Sequence, residues 1–365
     1  MSFKTHFTCI GGLNVYDIAI VGLGPAGAFL ASHLDKNYRV IALDKKLPGD
    51  ESAFRKPCGG LLAPDAQKSL SCFNMSLPKD ILVSPQIFSV RTIDIKTGII
   101  RNYQRHYINL DRHKFDQWLT EQIPGHVEVH SSTTCTNISR ESDGFRITYT
   151  QGHQQREIRT KYLVGADGAN SIVRRSLFGG FRIRSYLSIQ QWFADTHGTP
   201  FYSCVFDPDI TDSYAWGLTK DDSFIFGGAF EVKTAKRDFE ALKEKLRTYG
   251  FRLESPLKTE ACLVLRPTRP GNYCLGDDNA FLIGEAAGFI SPSSLEGISY
   301  AIDSGYALSQ CLNTLGSAPG REYRKRTRKV RMRLAAKLFK RPFLYCSLSR
   351  KLIMKSGLRT VRVFK

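Results

Sequence analysis

Although the 365-residue chain carries nine cysteines, none forms a C-x-x-C pair, so neither a structural zinc site nor a redox dithiol is expected. They are scattered, at 9, 58, 72, 135, 204, 262, 274, 311 and 346, a use of thiols that suits a reducing cytoplasm. No run reaches ~18 uninterrupted apolar residues, so no spanning helix is expected. The opening MSFKTHFTCIGGLN has no long apolar stretch and no A-x-A site; a signal peptide is therefore not expected, and residues 1–14 read as a loose leader. No G-x-S-x-G occurs, which removes the nucleophile elbow of a serine hydrolase. Internal repeats and low-complexity linkers are also absent. The eight histidines show no ligand spacing except in HVEVH. There His126, Glu128 and His130 share one face of a strand by its period of two. An exposed edge face explains that pattern as well as a metal does, and no metal site is expected.

Acidic residues are nearly missing from one region. Residues 321–365 hold seventeen Lys/Arg and one acid, Glu322, so +16 of the net +18 lies there and the other 320 residues are almost neutral. Such a segment attracts polyanions, either anionic headgroups or nucleic acid. Leu334, Leu338, Phe339, Phe343, Leu344, Leu348, Leu352 and Ile353 are interleaved with the cations. The segment thus reads as short amphipathic helices for an anionic membrane surface, broken or kinked at Pro342. Aromatics suited to stacking on single strands are sparse there, so nucleic acid is not the expected partner.

What is present begins with YDIAIVGLGPAGAFLASHL. An apolar β-type run, Tyr16 to Val21, leads into Gly22, Gly24 and Gly27 in G-x-G-x-x-G spacing, then a helical pattern and a second β-type run ending at Asp44. This is the strand–turn–helix–strand context that a dinucleotide fingerprint requires. Gly22 permits the tight turn, Gly24 lets backbone approach a pyrophosphate, and Gly27 allows close packing. Pro25 opens a helix whose N-terminal N–H groups favour phosphate. Asp44 lies 22 residues after Gly22, where a carboxylate reaches ribose hydroxyls. The motif alone does not separate FAD from NAD. Two later segments repeat the plan of strand, small-residue turn with one acid, then helix: KYLVGADGANSIVRRSL (161–177) and NAFLIGEAAGFISPSSLEGISYAIDSGYAL (279–308).

Taken in order, the three segments resemble the flavoprotein hydroxylase superfamily, with its glycine-rich, D-G and G-D motifs. KPCGGLLAP (56–64) and GEAAGFISPSSLEGI (284–298) are similar to its geranylgeranyl reductase branch. The resemblance runs from about residue 15 to 320. It implies an α/β (α+β) architecture: a Rossmann-like FAD-binding domain of the glutathione-reductase-like, hydroxylase type, an antiparallel β-sheet substrate domain and a basic helical C-terminal tail. The FAD-binding domain is discontinuous (15–85, 105–182, 270–320); 86–104 and 183–269 form the substrate domain, and 321–365 the tail. Strands are read at 86–95, 188–195, 200–206, 213–219 and 223–232, and a helix at 236–250.

The resemblance implies FAD as cofactor and NAD(P)H or another reductant as transient donor. Gly22, Gly24, Pro25, Ala26 and Gly27 would cradle the pyrophosphate, with Asp44 and Lys45 at the adenosine end. Asp167 and Gly168 form the D-G motif. Gly284, Glu285 and Gly288 form the third motif, where the branch usually has aspartate; Glu285 would still reach a ribityl hydroxyl. Ala286, Ala287 and Gly288 would be small to admit the ribityl chain. Pro292 would border the isoalloxazine, and Gly297 and Ile298 would open a helix toward its N1/O2 edge. Arg112 matches an arginine placed near FAD. Cys58, with Gly59 and Gly60, would face the flavin and gate substrate or relay a proton. Tyr214 and Trp216 match the branch's substrate-side Y-x-W-x-F-P pattern, but Leu218–Thr219 replaces its Phe-Pro. Cys58, Tyr214 and Trp216 are thus the candidate catalytic positions. The implied function is FAD-dependent reduction of C=C bonds in an isoprenoid or related lipid, in the cytoplasm or on the inner membrane face. A flavin monooxygenase and a non-enzymatic flavin-bearing binding protein are the alternatives. Oligomeric state is not legible.

Overall fold

The computed structural model describes residues 14–47, 56–194, 201–314 and 318–364. The leader reading at 1–14 falls outside them, apart from Asn14. β1 (Asn14–Val21) ends in four buried residues, as a central parallel strand requires. Pro25 opens α1 (Pro25–Ala31), where its missing N–H has no intrahelical partner to lose. The chain returns through the buried β2 (Val40–Leu43). Next come β3 (Leu61–Leu62), α2 (Pro64–Cys72), β4 (Ile87–Asp94) and β5 (Ile99–Asn109). α3 (Arg112–Glu121) is capped by Asp111, whose carboxylate accepts from the N–H groups of His113 and Lys114 at 2.7 and 3.1 Å. β6 (Val127–His130), β7 (Thr133–Glu141), β8 (Gly144–Gln151) and β9 (Gln154–Gly165) lead to α4 (Ile172–Leu177). β10 (Ser185–Phe193), β11 (Tyr202–Phe206), β12 (Ala215–Lys220) and β13 (Ser223–Phe230) precede α5 (Ala235–Leu246) and β14 (Lys258–Leu265). β15 (Ala280–Leu282), α6 (Ile298–Asn313), α7 (Pro319–Arg326), α8 (Arg328–Tyr345) and α9 (Ser347–Ser356) complete the order.

The strands form two mixed sheets. The first runs β6-β2-β1-β9-β8-β7, with β15 also on β9. β6, β2, β1, β9 and β15 are parallel, and β7–β8–β9 is an antiparallel meander. The second runs β14-β10-β13-β12-β11-β4-β5-β3, antiparallel except where β11 meets β4. α5 covers it with Phe239, Leu242 and Leu246, which pack on Phe226 and Phe230. In the first sheet, the apolar face of α1 and the helix α6 cover one side. Gly305 of α6 lets the two helices touch: a Cβ there would fall 2.6 Å from the Ala26 carbonyl oxygen. In HVEVH, Glu128 accepts from Tyr16 Oη and pairs with His130, both at 2.7 Å, on the edge strand β6.

The basic segment is helical, as α7, α8 and α9, and part of it packs on the body. It is no simple solvated tail: Tyr323, Thr327, Val330 and Leu334 are buried against the body, and Tyr323 Oη donates to the Leu282 carbonyl at 2.9 Å. Its cations pair with carboxylates of the body: Arg333 with Asp303, Lys337 with Asp65, Arg341 with Asp212, and Arg350 with Asp94. Nor does Pro342 break the segment, because α8 runs through it. That proline lies three residues before the helix ends at Tyr345 and is exposed, so one hydrogen bond near the terminus is lost without a clash against packed neighbours.

Candidate functional site

The first turn is built by contact distances that only glycine satisfies. Gly22 has φ +97°, and a Cβ there would lie 2.7 Å from the Ala166 carbonyl oxygen. A Cβ on Gly27 would lie 1.9 Å from the Gly22 carbonyl oxygen. Gly24 is different. A Cβ there would meet nothing within 4 Å, so its missing side chain leaves open space. Asp44, at the end of β2, is buried and accepts from Leu23 N at 2.5 Å and Lys46 N at 2.8 Å. A cleft beside it is lined by Leu23, Asp44, Lys46, Leu47, His113 and Asp116, among others. Lys45 follows; burial lowers its pKa, with Asp44 and Asp167 opposing.

The second turn joins the first directly: Ala166 N donates to the Val21 carbonyl at 2.8 Å. Asp167 Oδ2 accepts from Ile172 N at 2.7 Å and Val173 N at 3.4 Å, at the start of α4. Its Oδ1 is buried and has no partner among the described residues, and burial raises the carboxyl pKa. Gly168, φ +73°, is open like Gly24. The third turn joins both. Ile283 N donates to the Gly165 carbonyl at 3.0 Å, and a Cβ on Gly284 would fall 2.8 Å from Ala26 Cβ. Arg174 ties the second turn to the third, donating to the carbonyls of Ala169 and Ala286.

The small residues of the third turn are packed inside the protein. Ala286 and Ala287 are fully buried within the core. Gly288 has φ +84°, and a Cβ there would lie 2.6 Å from the Asn272 carbonyl oxygen. Close packing inside the protein thus requires glycine at 288. Glu285 is also fully engaged: one oxygen pairs with Lys56 and the other accepts from Leu265 N at 2.9 Å. Burial works against the Lys56 charge, but Glu285 overcomes it and raises the ammonium pKa. Pro292 offers its carbonyl to Arg266 Nε at 3.1 Å. Gly297 is the N-cap of α6, and Ile298 its first residue, with no side chain capping the N–H groups.

Across from these turns, the 58–60 loop meets the second sheet. Cys58 Sγ lies 3.5 Å from both Arg112 Nη1 and Gly60 N. Arg112 also holds Asp116, at 2.7 Å, and Lys46 holds it from the other side at 3.0 Å. Burial would raise the Asp116 pKa, but the two cations bring it down to about 2. A Cβ on Gly59 would touch Leu218 at 3.6 Å and the Trp216 ring at 3.8 Å. Trp216 lies flat on Gly227, its ring 5.7 Å from Tyr214, and its buried indole N–H has no partner among the described residues. Tyr214 Oη donates to the Ser294 carbonyl at 2.6 Å. Lys220, buried, binds Asn109 Oδ1 at 2.7 Å, the Leu110 carbonyl at 2.6 Å and the Gly60 carbonyl at 3.4 Å. Burial pushes its pKa down to about 8. Lys56, Arg174, Asp116 and Lys220 were not singled out from sequence. Only Lys56, two residues before Cys58, carried a positional hint.

The residues present fit FAD. Three turns meet at one point, Gly24 and Gly168 leave open space, and an unpartnered Asp167 oxygen waits for a donor. Residues 88–203 match the family model described as an FAD binding domain. Among solved structures, a geranylgeranyl bacteriochlorophyll reductase-like protein from Thermoplasma acidophilum superposes with a TM-score of 0.77 at 18% identity, covering 96% of this chain and 94% of that one. A probable FAD-dependent monooxygenase from Pseudomonas aeruginosa gives 0.68 at 17% identity, covering 94% and 99%. The fold is therefore the hydroxylase-type FAD-binding fold, and the matched residues make it that of an FAD-binding protein. Protein CbrA from Escherichia coli O6:H1 is 49% identical over 350 residues, 96% of either chain, and CbrA of strain K12 is 48% identical. The chain belongs to the CbrA family.

Proposed function

We propose that the chain reduces carbon–carbon double bonds of an isoprenoid or related lipid at a membrane surface, with NAD(P)H or another reductant as electron donor. The observation that supports this reading is the apolar and aromatic cluster against which the Cys58–Gly59–Gly60 loop packs. Trp216, Leu218 and Ile225 form its buried centre, with Leu61, Tyr202 and Tyr214 partly buried against them. A hydrocarbon chain gains by leaving water for such a cluster. When bound, FAD supplies the hydride.

The chain's own residues position substrate and proton. Gly59 lets the loop pack directly on Trp216 and Leu218. Tyr214 fixes the 291–296 loop through Ser294. Glu296, in that loop, is the acid we assign as proton source. Burial raises its pKa, Ser294 hydrogen-bonds it, and it interacts with the Tyr107 and Tyr214 phenols. A carboxyl whose pKa is raised is the better placed to keep a proton and donate it to one carbon as hydride reaches the other. Hydride and proton together add two hydrogens to each bond. Incubating purified protein anaerobically with reductant and a panel of polyprenyl lipids tests this. Gain of two hydrogens per double bond supports it. Unchanged lipid throughout the panel, or gain of one oxygen atom only when O₂ is admitted, overturns it; the latter result identifies a monooxygenase.

A further inference from the structure

Helix α8 has two faces of opposite use. Val330, Leu334, Lys337, Arg341 and Tyr345 follow one helical stripe onto the body, where they are buried or paired. Met332, Ala336, Phe339 and Phe343 follow the same spacing on the outer side, and Phe339 is 77% and Phe343 64% exposed. α9 repeats the division: Arg350 and Met354 are buried, while Leu348 and Leu352 are 68% and 62% exposed. An outer helix face in a soluble domain ordinarily carries polar residues. Here it carries large apolar side chains, beside exposed Lys329, Lys340, Lys351 and Lys355, for which no carboxylate partner occurs among the described residues. The same basic segment thus spends one set of cations on the fold and leaves another set outside.

We propose that the outer face of α8 and α9 docks on an anionic lipid bilayer, with Phe339, Phe343, Leu348 and Leu352 inserted below the headgroups. Charge complementarity selects this occupant: a second copy would bring the same cations against them, and nucleic acid has no use for the apolar stripe. No helix among the described residues is long and apolar enough to cross a membrane, so the segment lies on the surface. The location also matters. Tyr345 Oη donates to the Ser293 carbonyl at 2.8 Å, next to the Ser294 carbonyl that holds Tyr214. Docking therefore sets α8 between the bilayer and the loop at the site's edge. That link to substrate delivery rests on the lipid-reductase reading; the docking itself rests on exposure and charge.

Sedimentation of the full chain with vesicles tests it without turnover. The vesicles are phosphatidylglycerol in phosphatidylethanolamine, or pure phosphatidylcholine, each at low and high salt. The wild type is expected to partition onto the anionic vesicles and to be released by salt. Phe339→Ser/Phe343→Ser is expected to weaken partition by about tenfold or more, from lost apolar burial. Lys340→Glu/Lys351→Glu/Lys355→Glu is expected to weaken it by about tenfold or more and to flatten the salt dependence. All substituted side chains are exposed, and unchanged melting temperatures verify the fold. The proposal is overturned by equal partition on both vesicle types, by an apolar double variant that binds like wild type, or by retention on duplex DNA with no vesicle binding. A protein that partitions as described but reduces no lipid leaves the surface standing and removes the reductase reading.

Discussion

Gly24 and Gly27 belong to one motif, yet alanine at each has a different physical consequence. At Gly24 the backbone has φ −71° and ψ −176°, which alanine adopts freely, and its Cβ would meet nothing within 4 Å. Gly24→Ala should therefore leave stability unchanged or raise it by about 0.4–1 kcal/mol, because the unfolded chain loses freedom. The added methyl would occupy the space where a pyrophosphate approaches backbone, and FAD affinity should fall by about tenfold or more, roughly 1.4 kcal/mol. At Gly27 the Cβ would sit 1.9 Å from the Gly22 carbonyl oxygen and 3.1 Å from Ala166 Cβ. Backbone must separate, so Gly27→Ala should cost about 1–3 kcal/mol in stability as well as flavin. Urea unfolding of the apo-proteins, with the ratio of flavin to protein absorbance after reconstitution, reads both effects. A Gly24→Ala protein that keeps wild-type flavin affinity would refute the placement of the pyrophosphate.

Lys220 gives a pH signature. Its folded pKa, about 8, is below the usual 10.5, so the unfolded chain binds more protons between those values and stability should rise with pH across that window. The full rise is about 3 kcal/mol, and Lys220→Met should abolish the slope in urea midpoints measured along it. Arg350→Ala strands Asp94, which is 0% exposed, and should cost about 3–5 kcal/mol by urea unfolding; adding Asp94→Asn should recover part of it. Cys58→Ala should retain flavin, since Cys58 holds no turn together, while kcat on a reducible lipid falls by about tenfold or more. Equal loss of flavin and turnover would instead make Cys58 a cofactor-positioning residue.

Features set by local backbone geometry were legible in the sequence. G-x-G-x-x-G between two apolar runs marks a turn because a tight turn and close packing need glycine at fixed offsets, and Gly22 and Gly27 show those contacts. The convergence of three turns was also readable, each being a strand followed by small residues. Pairings across long separations left no local trace. Glu285 finds Lys56 229 residues away, and Gly305 meets Ala26 from another helix. For the same reason the packing of the basic segment was not legible: composition shows its charge but not the four acids of the body that meet it. One signal was available, since Tyr323, Thr327, Val330 and Leu334 recur at i, i+4, i+7 and i+11, the spacing of a buried stripe. The smallness of Ala286 to Gly288 was legible, but not its cause, because a neighbouring carbonyl and a ligand demand glycine alike.

The most direct test is to release the chromophore from the purified full chain by denaturation, identify it by chromatography, and count it against protein. Convergence of the Gly22, Asp167 and Glu285 turns on one cofactor predicts a yellow protein releasing one equivalent of FAD per chain. A colourless protein that takes up no FAD on reconstitution, or one that releases a different nucleotide, contradicts it.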